Sequence, residues 1–238
     1  VRANRWLGGT LAFVAGAVNA GGFLAIGRYT SHMTGIVSAI ADDAALALWT
    51  TAAAGLVMLL AFLAGAMVTA LLANWARRRH LTSEFALPLM LEAGLLVVFG
   101  LLGQQLDANR TLMVPATAVV LCFLMGLQNA VVTKISKSEI RTTHMTGVVT
   151  DLGIELGRLV YRNAPDDPPD RRVLANRDKM AVLATLLAAF FVGALTGALG
   201  FKSLGFAATL PLAALLVLLA ILPVIDDVTR RLRAAARD

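Results

Sequence analysis

Two of the three histidines in this 238-residue chain, His32 and His144, open the same four-residue phrase, His-Met-Thr-Gly. A histidine can change charge near neutral pH and offers two ring nitrogens. The threonine that follows adds a hydroxyl, and the glycine, lacking a Cβ, lets a solute approach the backbone. Ser or Thr precedes each phrase at Thr30, Ser31, Thr142 and Thr143, as suits a residue capping a helix start. A helix start carries unpaired N–H groups and about half a positive charge. The phrases at 32–35 and 144–147 therefore read as two helix starts able to hold an anion or a carboxylate. Their binding residues would be His32, Thr34, Gly35, His144, Thr146 and Gly147. Asn19, Gln128 and Asn129 lie inside apolar runs and would add neutral hydrogen bonds to the same substrate site, with Gly21 and Gly22 breaking the first run close to it.

Two carboxylates are candidates for coupling solute movement to an ion. Glu92 stands in the middle of an apolar run, where a carboxylate is costly and faces a cavity or a partner. Its alternative is a neutral, hydrogen-bonded structural role. Asp151 follows the second phrase. The third histidine, His80, follows three arginines and reads as a solvated loop residue. Neither a His-Glu-x-x-His zinc pair nor a Gly-x-Ser-x-Gly nucleophile turn occurs, nor does a nucleotide phosphate loop. No catalytic residue, metal or cofactor is expected.

The elements that must position these residues are set by composition. The chain is 58% hydrophobic and 15% charged, with mean hydropathy +0.75, against about 45–50% and about 25% in soluble domains. The apolar residues gather into six runs, at 6–27, 53–74, 85–103, 113–133, 179–200 and 205–225. Each has the roughly 20 residues needed to cross about 30 Å of hydrocarbon. The first run reads as a retained span rather than a signal peptide. The net charge of +6 sits at the run ends, which points to the lipid bilayer as partner and not to nucleic acid. The single cysteine, Cys122, lies inside a run and forms no disulfide within the chain.

Charge also counts the crossings. Six spans with the amino terminus inside put 18 Lys and Arg on the cytoplasmic side and 3 outside. If the segments after each phrase crossed as well, the division would be 13 against 8. The positive-inside bias selects six, with both termini in the cytoplasm. Segments 30–49 and 142–161 are then helices that do not cross. Each carries an apolar stripe: Met33, Ile36, Val37, Ile40, Ala44 and Leu48 in the first, Met145, Val148, Val149, Leu152, Leu156 and Leu159 in the second. Asp151 and Glu155 fall off the second stripe.

The phrases belong to a longer duplication. "FVAGAVNA" at 13–20 matches "FLMGLQNA" at 123–130, and six of the eight residues at 30–37 recur at 142–149. Each half, 1–108 and 109–238, has one span, the phrase with its helix, and two further spans. Three crossings is an odd number, so the second half enters the membrane from the opposite side, an inverted-topology repeat. Glu92 has no counterpart in the last span, where Leu212 stands nearby in the matching run.

"GAVNAGGF" with "HMTG" early, and "MGLQNA" with "RTTHMTGVVTDL" late, resemble the bacterial YoaK family, also called DUF1275, over nearly the whole chain. The resemblance implies a polytopic inner-membrane protein and supplies little chemistry. The family commonly has Asp where this chain has Asn19, and Asn where it has Ile36.

The expectation is an all-α membrane protein of six spans with a broken or re-entrant helix at each phrase. It would transport a small solute or ion at the interface of the halves, as a monomer or a homodimer. Three alternatives remain open. The two helices could lie in the headgroup layer. The chain could be a non-catalytic assembly or sensing protein. It could be an intramembrane enzyme using Glu92, Asp151 or Glu155 with a histidine.

Overall fold

In hydrocarbon every backbone N–H and C=O must be paired within the chain, so long apolar runs fold as helices. The computed structural model describes residues 2–79, 81, 83–135, 145–164, 166, 168 and 171–235. Its helices are α1 (Arg2–Ile26), α2 (Met33–Ala45), α3 (Trp49–Arg78), α4 (Ala86–Gln104), α5 (Arg110–Ile135), α6 (Met145–Val160), α7 (Arg177–Leu204) and α8 (Thr209–Ala235). A 3-10 turn, Gly205–Ala208, joins the last two. Among the described residues five stretches are long and apolar enough to cross a membrane, which identifies a multi-pass membrane chain. The last of them, Arg177–Ile225, takes in both α7 and most of α8.

Helix boundaries follow local chemistry. α1 ends where Gly27 adopts φ 70°, and α7 ends at Gly205 with φ 60°, conformations open mainly to glycine. Pro88 and Pro211 each occupy the third position of a helix, where the missing N–H has no partner to lose. Pro115 and Pro223 lie inside α5 and α8. Trp6, Trp49 and Trp75 are exposed near helix ends, as amphipathic rings are at a membrane interface, and the Arg79 guanidinium lies over Trp75 at 5.6 Å. Gly21 and Gly22 do not break α1, which runs unbroken to Ile26. They serve packing, Gly21 against the Phe201 ring and Gly22 against Leu121.

Glycine sets how the helices pair. Gly16 lies against the backbone of Phe190 and Ala194, and Gly193 against the Phe13 carbonyl. With Gly8 facing Leu186 and Gly21 facing Phe201, α1 and α7 advance side by side in the same direction. α3 and α5 repeat this: Gly65 meets the Phe123 carbonyl, and Gly126 meets that of Phe62. Without large apolar surface to hide from lipid, such close backbone approach is what holds helices together. α4 and α8 run antiparallel, with Gly103 against Phe206 and Gly100 against Thr209. α1 and α5 are also antiparallel, since Gly22 faces Leu121 while the Leu11 carbonyl accepts from Gln128 Nε2 at 3.4 Å. The core is formed mainly by α1, α4, α5 and α8, with Leu11, Leu96, Phe99, Leu121, Leu124 and Leu216 inaccessible.

α2 and α6 fall within the segments expected to be helical, but each stripe is divided, part of it against the protein and part of it exposed. α2 buries no residue completely; Met33 and Ile36 pack beside Met58, Phe62 and Cys122, while Val37 and Leu48 are exposed. In α6 the buried residues are Val148 and Glu155, whereas Val149, Leu156 and Leu159 are exposed. In an apolar solvent the stripe can face outward and the polar residue inward, the reverse of a water-soluble helix.

Candidate functional site

Ser31 begins the site. Its Oγ donates to Asn19 Oδ1 at 2.9 Å, so it caps no helix. The residue at the cap position of α2 is His32, whose side chain makes no capping bond. Its ring lies instead over Gly35, where an added methyl would meet Nδ1 at 2.6 Å. Thr30 is buried, and its Oγ1 has no hydrogen-bond partner among the described residues.

Asn19 stands seven residues before the end of α1, about 10 Å down the helix. The contact with Ser31 therefore brings the chain back along α1 before α2 starts. α2 and α3 then form an antiparallel hairpin with Ile40 against Gly55. α6 and α7 form a second hairpin, with Lys179 Nζ bridging Asp151 at 3.2 Å and the Asn176 N–H donating to Glu155 Oε2 at 2.8 Å.

The start of α6 and the turn before α2 meet in one cavity of about 460 Å³. Asn19, Ser31 and His32 contribute from the first half of the chain, Met145 and Thr146 from the second. The remaining wall is apolar: Phe23 and Tyr29, stacked at 4.7 Å, with Leu24, Phe190 and three alanines.

Of the residues expected to bind, Asn19, His32 and Thr146 share this cavity. Thr34 and Gly35 lie two and three residues past the cavity's His32, in the first turn of α2, and Gly147 follows Thr146 in α6. Gln128 and Asn129 are not in its lining. Gln128 is inaccessible and bonds to Leu11, while its Oε1 and the Oδ1 of Asn129 have no partner among the described residues. His144 lies outside the described residues, as do Thr142 and Thr143.

The two carboxylates part company. Asp151 is half exposed and paired with Lys179. Glu92 is wholly inaccessible, and neither oxygen has a hydrogen-bond partner among the described residues. No group of three or more metal-ligating side chains occurs among the described residues.

Phe23 and Phe190 in the cavity wall carry no signal in the sequence, because one apolar residue in a run looks like the next, and Tyr29 stands in the short link before the first phrase with no pattern to mark it. Glu155 did carry one: carboxylates at 151 and 155 sit one helical turn apart, on the same side of α6, and both face Lys179.

A family model described as protein of unknown function (DUF1275) matches residues 7–222. No curated protein and no solved structure matches the chain.

Proposed function

The chain belongs to the DUF1275 family, and from that premise we propose that it is a membrane transporter or channel for a small anionic or carboxylate-bearing solute. The single observation that carries the proposal is the cavity shared by Asn19, Ser31 and His32 with Met145 and Thr146. Polar groups from two distant segments converge there, and each segment opens a helix.

The proposed topology has six crossings in two inverted halves, 1–108 and 109–238, with both termini on the cytoplasmic side of a bacterial inner membrane. Several observations support it. Residues 11–20 and 121–130 run through the same order of buried and part-buried positions. The Phe13–Gly193 and Gly16–Phe190 contacts are matched by Phe123–Gly65 and Gly126–Phe62. The last apolar stretch of 49 residues turns at Gly205, and at 1.5 Å per residue its length would be over twice the hydrocarbon thickness. Eight crossings would make α1 parallel to α5 and α4 parallel to α8, against the antiparallel contacts of both pairs. α2 and α6 are then re-entrant, their starts near the middle of the bundle. Met33 packs at the level of Met58 and Phe62, and Met145 shares the cavity with Phe190, halfway along α7.

In this reading helix N–H groups and the His32 ring attract the anion, and Ser31 holds Asn19 in place. Glu92 is the carboxylate left for ion coupling, since Asp151 has a partner. Flux of labelled carboxylates into vesicles holding the purified chain tests the proposal. His32→Ala with Asn19→Ala should lower flux by roughly tenfold or more; unchanged flux would remove the site. Glu92→Gln should uncouple flux from an ion gradient without abolishing downhill exchange.

A further inference from the structure

The walls of the cavity say more about the solute than its helix ends do. We infer that the ligand is a singly charged acid with an apolar, ring-sized body, and not an inorganic anion, a dianion or an amino acid. The inference rests on the transport site proposed above and narrows what that site accepts.

Charge comes first. The described lining contains no Lys, Arg, Asp or Glu. Its polar members are Asn19, Ser31, His32 and Thr146. A buried charge needs a partner or several hydrogen bonds, and the cost rises steeply for a second charge. One imidazole, two hydroxyls and a helix start suit one negative charge. A phosphate or a dicarboxylate would bring a second charge with nothing in the described lining to meet it. An α-amino group would add a buried positive charge, and the described lining holds no carboxylate to pair with it.

Shape and polarity come next. Asn19 and Ser31 are joined by a hydrogen bond with His32 next in the chain, and most of the remaining lining is aromatic and aliphatic. Phe23 and Tyr29 stack with their rings 23° from parallel and are 43% and 51% exposed, so they stand at the mouth. Phe190 and the alanines at 20, 194 and 198 form the rest. A cavity of about 460 Å³ is within the range of small-molecule sites and far larger than a hydrated halide needs. Filling it with acetate would leave apolar wall against water, while a phenyl or branched alkyl group would cover that wall.

At Gly16, α1 meets Phe190 through its backbone carbonyl, a contact that removing the side chain preserves. That makes Phe190→Ala a selective probe. The experiment is equilibrium binding of labelled phenylacetate to the full chain in mild detergent, with acetate, phosphate, benzenesulfonate and phenylalanine as competitors. The same anions are then followed in vesicles, benzenesulfonate serving as the permanently charged probe that does not leak. Saturable phenylacetate binding is expected, displaced by benzenesulfonate and at least about tenfold less well by acetate, phosphate or phenylalanine. Phe190→Ala should weaken phenylacetate roughly tenfold and leave acetate unchanged.

Acetate or phosphate binding as well as phenylacetate would overturn this inference while leaving a transporter in place. Phenylacetate binding without benzenesulfonate flux would support the ligand class and overturn transport. Neither binding nor flux would overturn both. If Phe190→Ala fails to fold, Tyr29→Ala at the mouth tests the same wall, with the same expected loss for phenylacetate alone.

Discussion

The α2–α3 and α6–α7 hairpins begin with the same four residues and are held in different ways. Three residues, 46–48, connect the first pair, with Ala47 at φ 56° closing the turn. Sixteen residues, 161–176, connect the second. α2 has no fully buried residue and rests on apolar contact, Ile40 at Gly55 and Met33 and Ile36 beside Phe62. α6 is tied by charge. Glu155 Oε1 accepts from Arg158 at 3.0 Å, its Oε2 accepts from the Asn176 N–H, and Lys179 reaches Asp151. Within the long connection, Asn163 and Val173 exchange two hydrogen bonds, at 3.0 and 2.8 Å. Glu155 corresponds to Asp43 at the 112-residue spacing of the phrases. A short loop holds a hairpin by covalent reach alone. A long one gives up that constraint, and the buried carboxylate replaces it.

The hairpins differ while their long helices, α3 and α7, are anchored to the bundle alike, through paired glycine contacts with α5 and α1. A Val side chain at Gly16 or at Gly126 would strike a carbonyl, that of Phe190 or of Phe62. Gly16→Val and Gly126→Val should each cost about 3 kcal/mol, or prevent folding. The yield of monodisperse protein and its thermal unfolding in detergent read both. One variant tolerated and the other lost would mean the interfaces are not equivalent.

Glu155→Ala should destabilise the chain by about 2 kcal/mol, since it strands the Asn176 N–H and removes the partner of the half-exposed Arg158 head. Asp43→Ala should change stability by less than about 0.5 kcal/mol. Equal losses would erase the contrast between the hairpins. Thr69 offers a smaller test. Its Oγ1 donates to the Leu127 carbonyl at 2.9 Å, while its counterpart on α7 is Gly197, packed against Ala17. Thr69→Val should cost about 0.6 kcal/mol, the usual worth of such a bond in a membrane bundle. The smallest effect belongs to Asp151→Asn. The Lys179–Asp151 pair is nearly half exposed, so its loss should fall within about 0.5 kcal/mol and shrink further in high salt. A loss comparable to that of Glu155→Ala would make Asp151 the true anchor.

Much of this architecture is legible in the residues. The apolar runs give the long helices because lipid leaves a backbone no other partner. The two His-Met-Thr-Gly phrases mark the starts of α2 and α6 within one residue. Other features misled. Stripe periodicity identified α6 as a helix but not its buried side, because periodicity is the same whether the stripe faces protein or lipid. Thr30 and Ser31 looked like caps, and only the fold brings Asn19 within reach of Ser31.

Sequence alone determined the family, the helices and the kinship of the two phrases, since those depend on composition and order along one strand of chain. Which polar residues share a cavity was decided by tertiary structure. Asn19, His32 and Thr146 meet, while Gln128 turns to Leu11 and Asp151 to Lys179. The reason is geometric: glycine-to-backbone contacts at Gly16 and Gly193 set the rotation and depth of α1 against α7, and every side chain on those helices points where that contact leaves it.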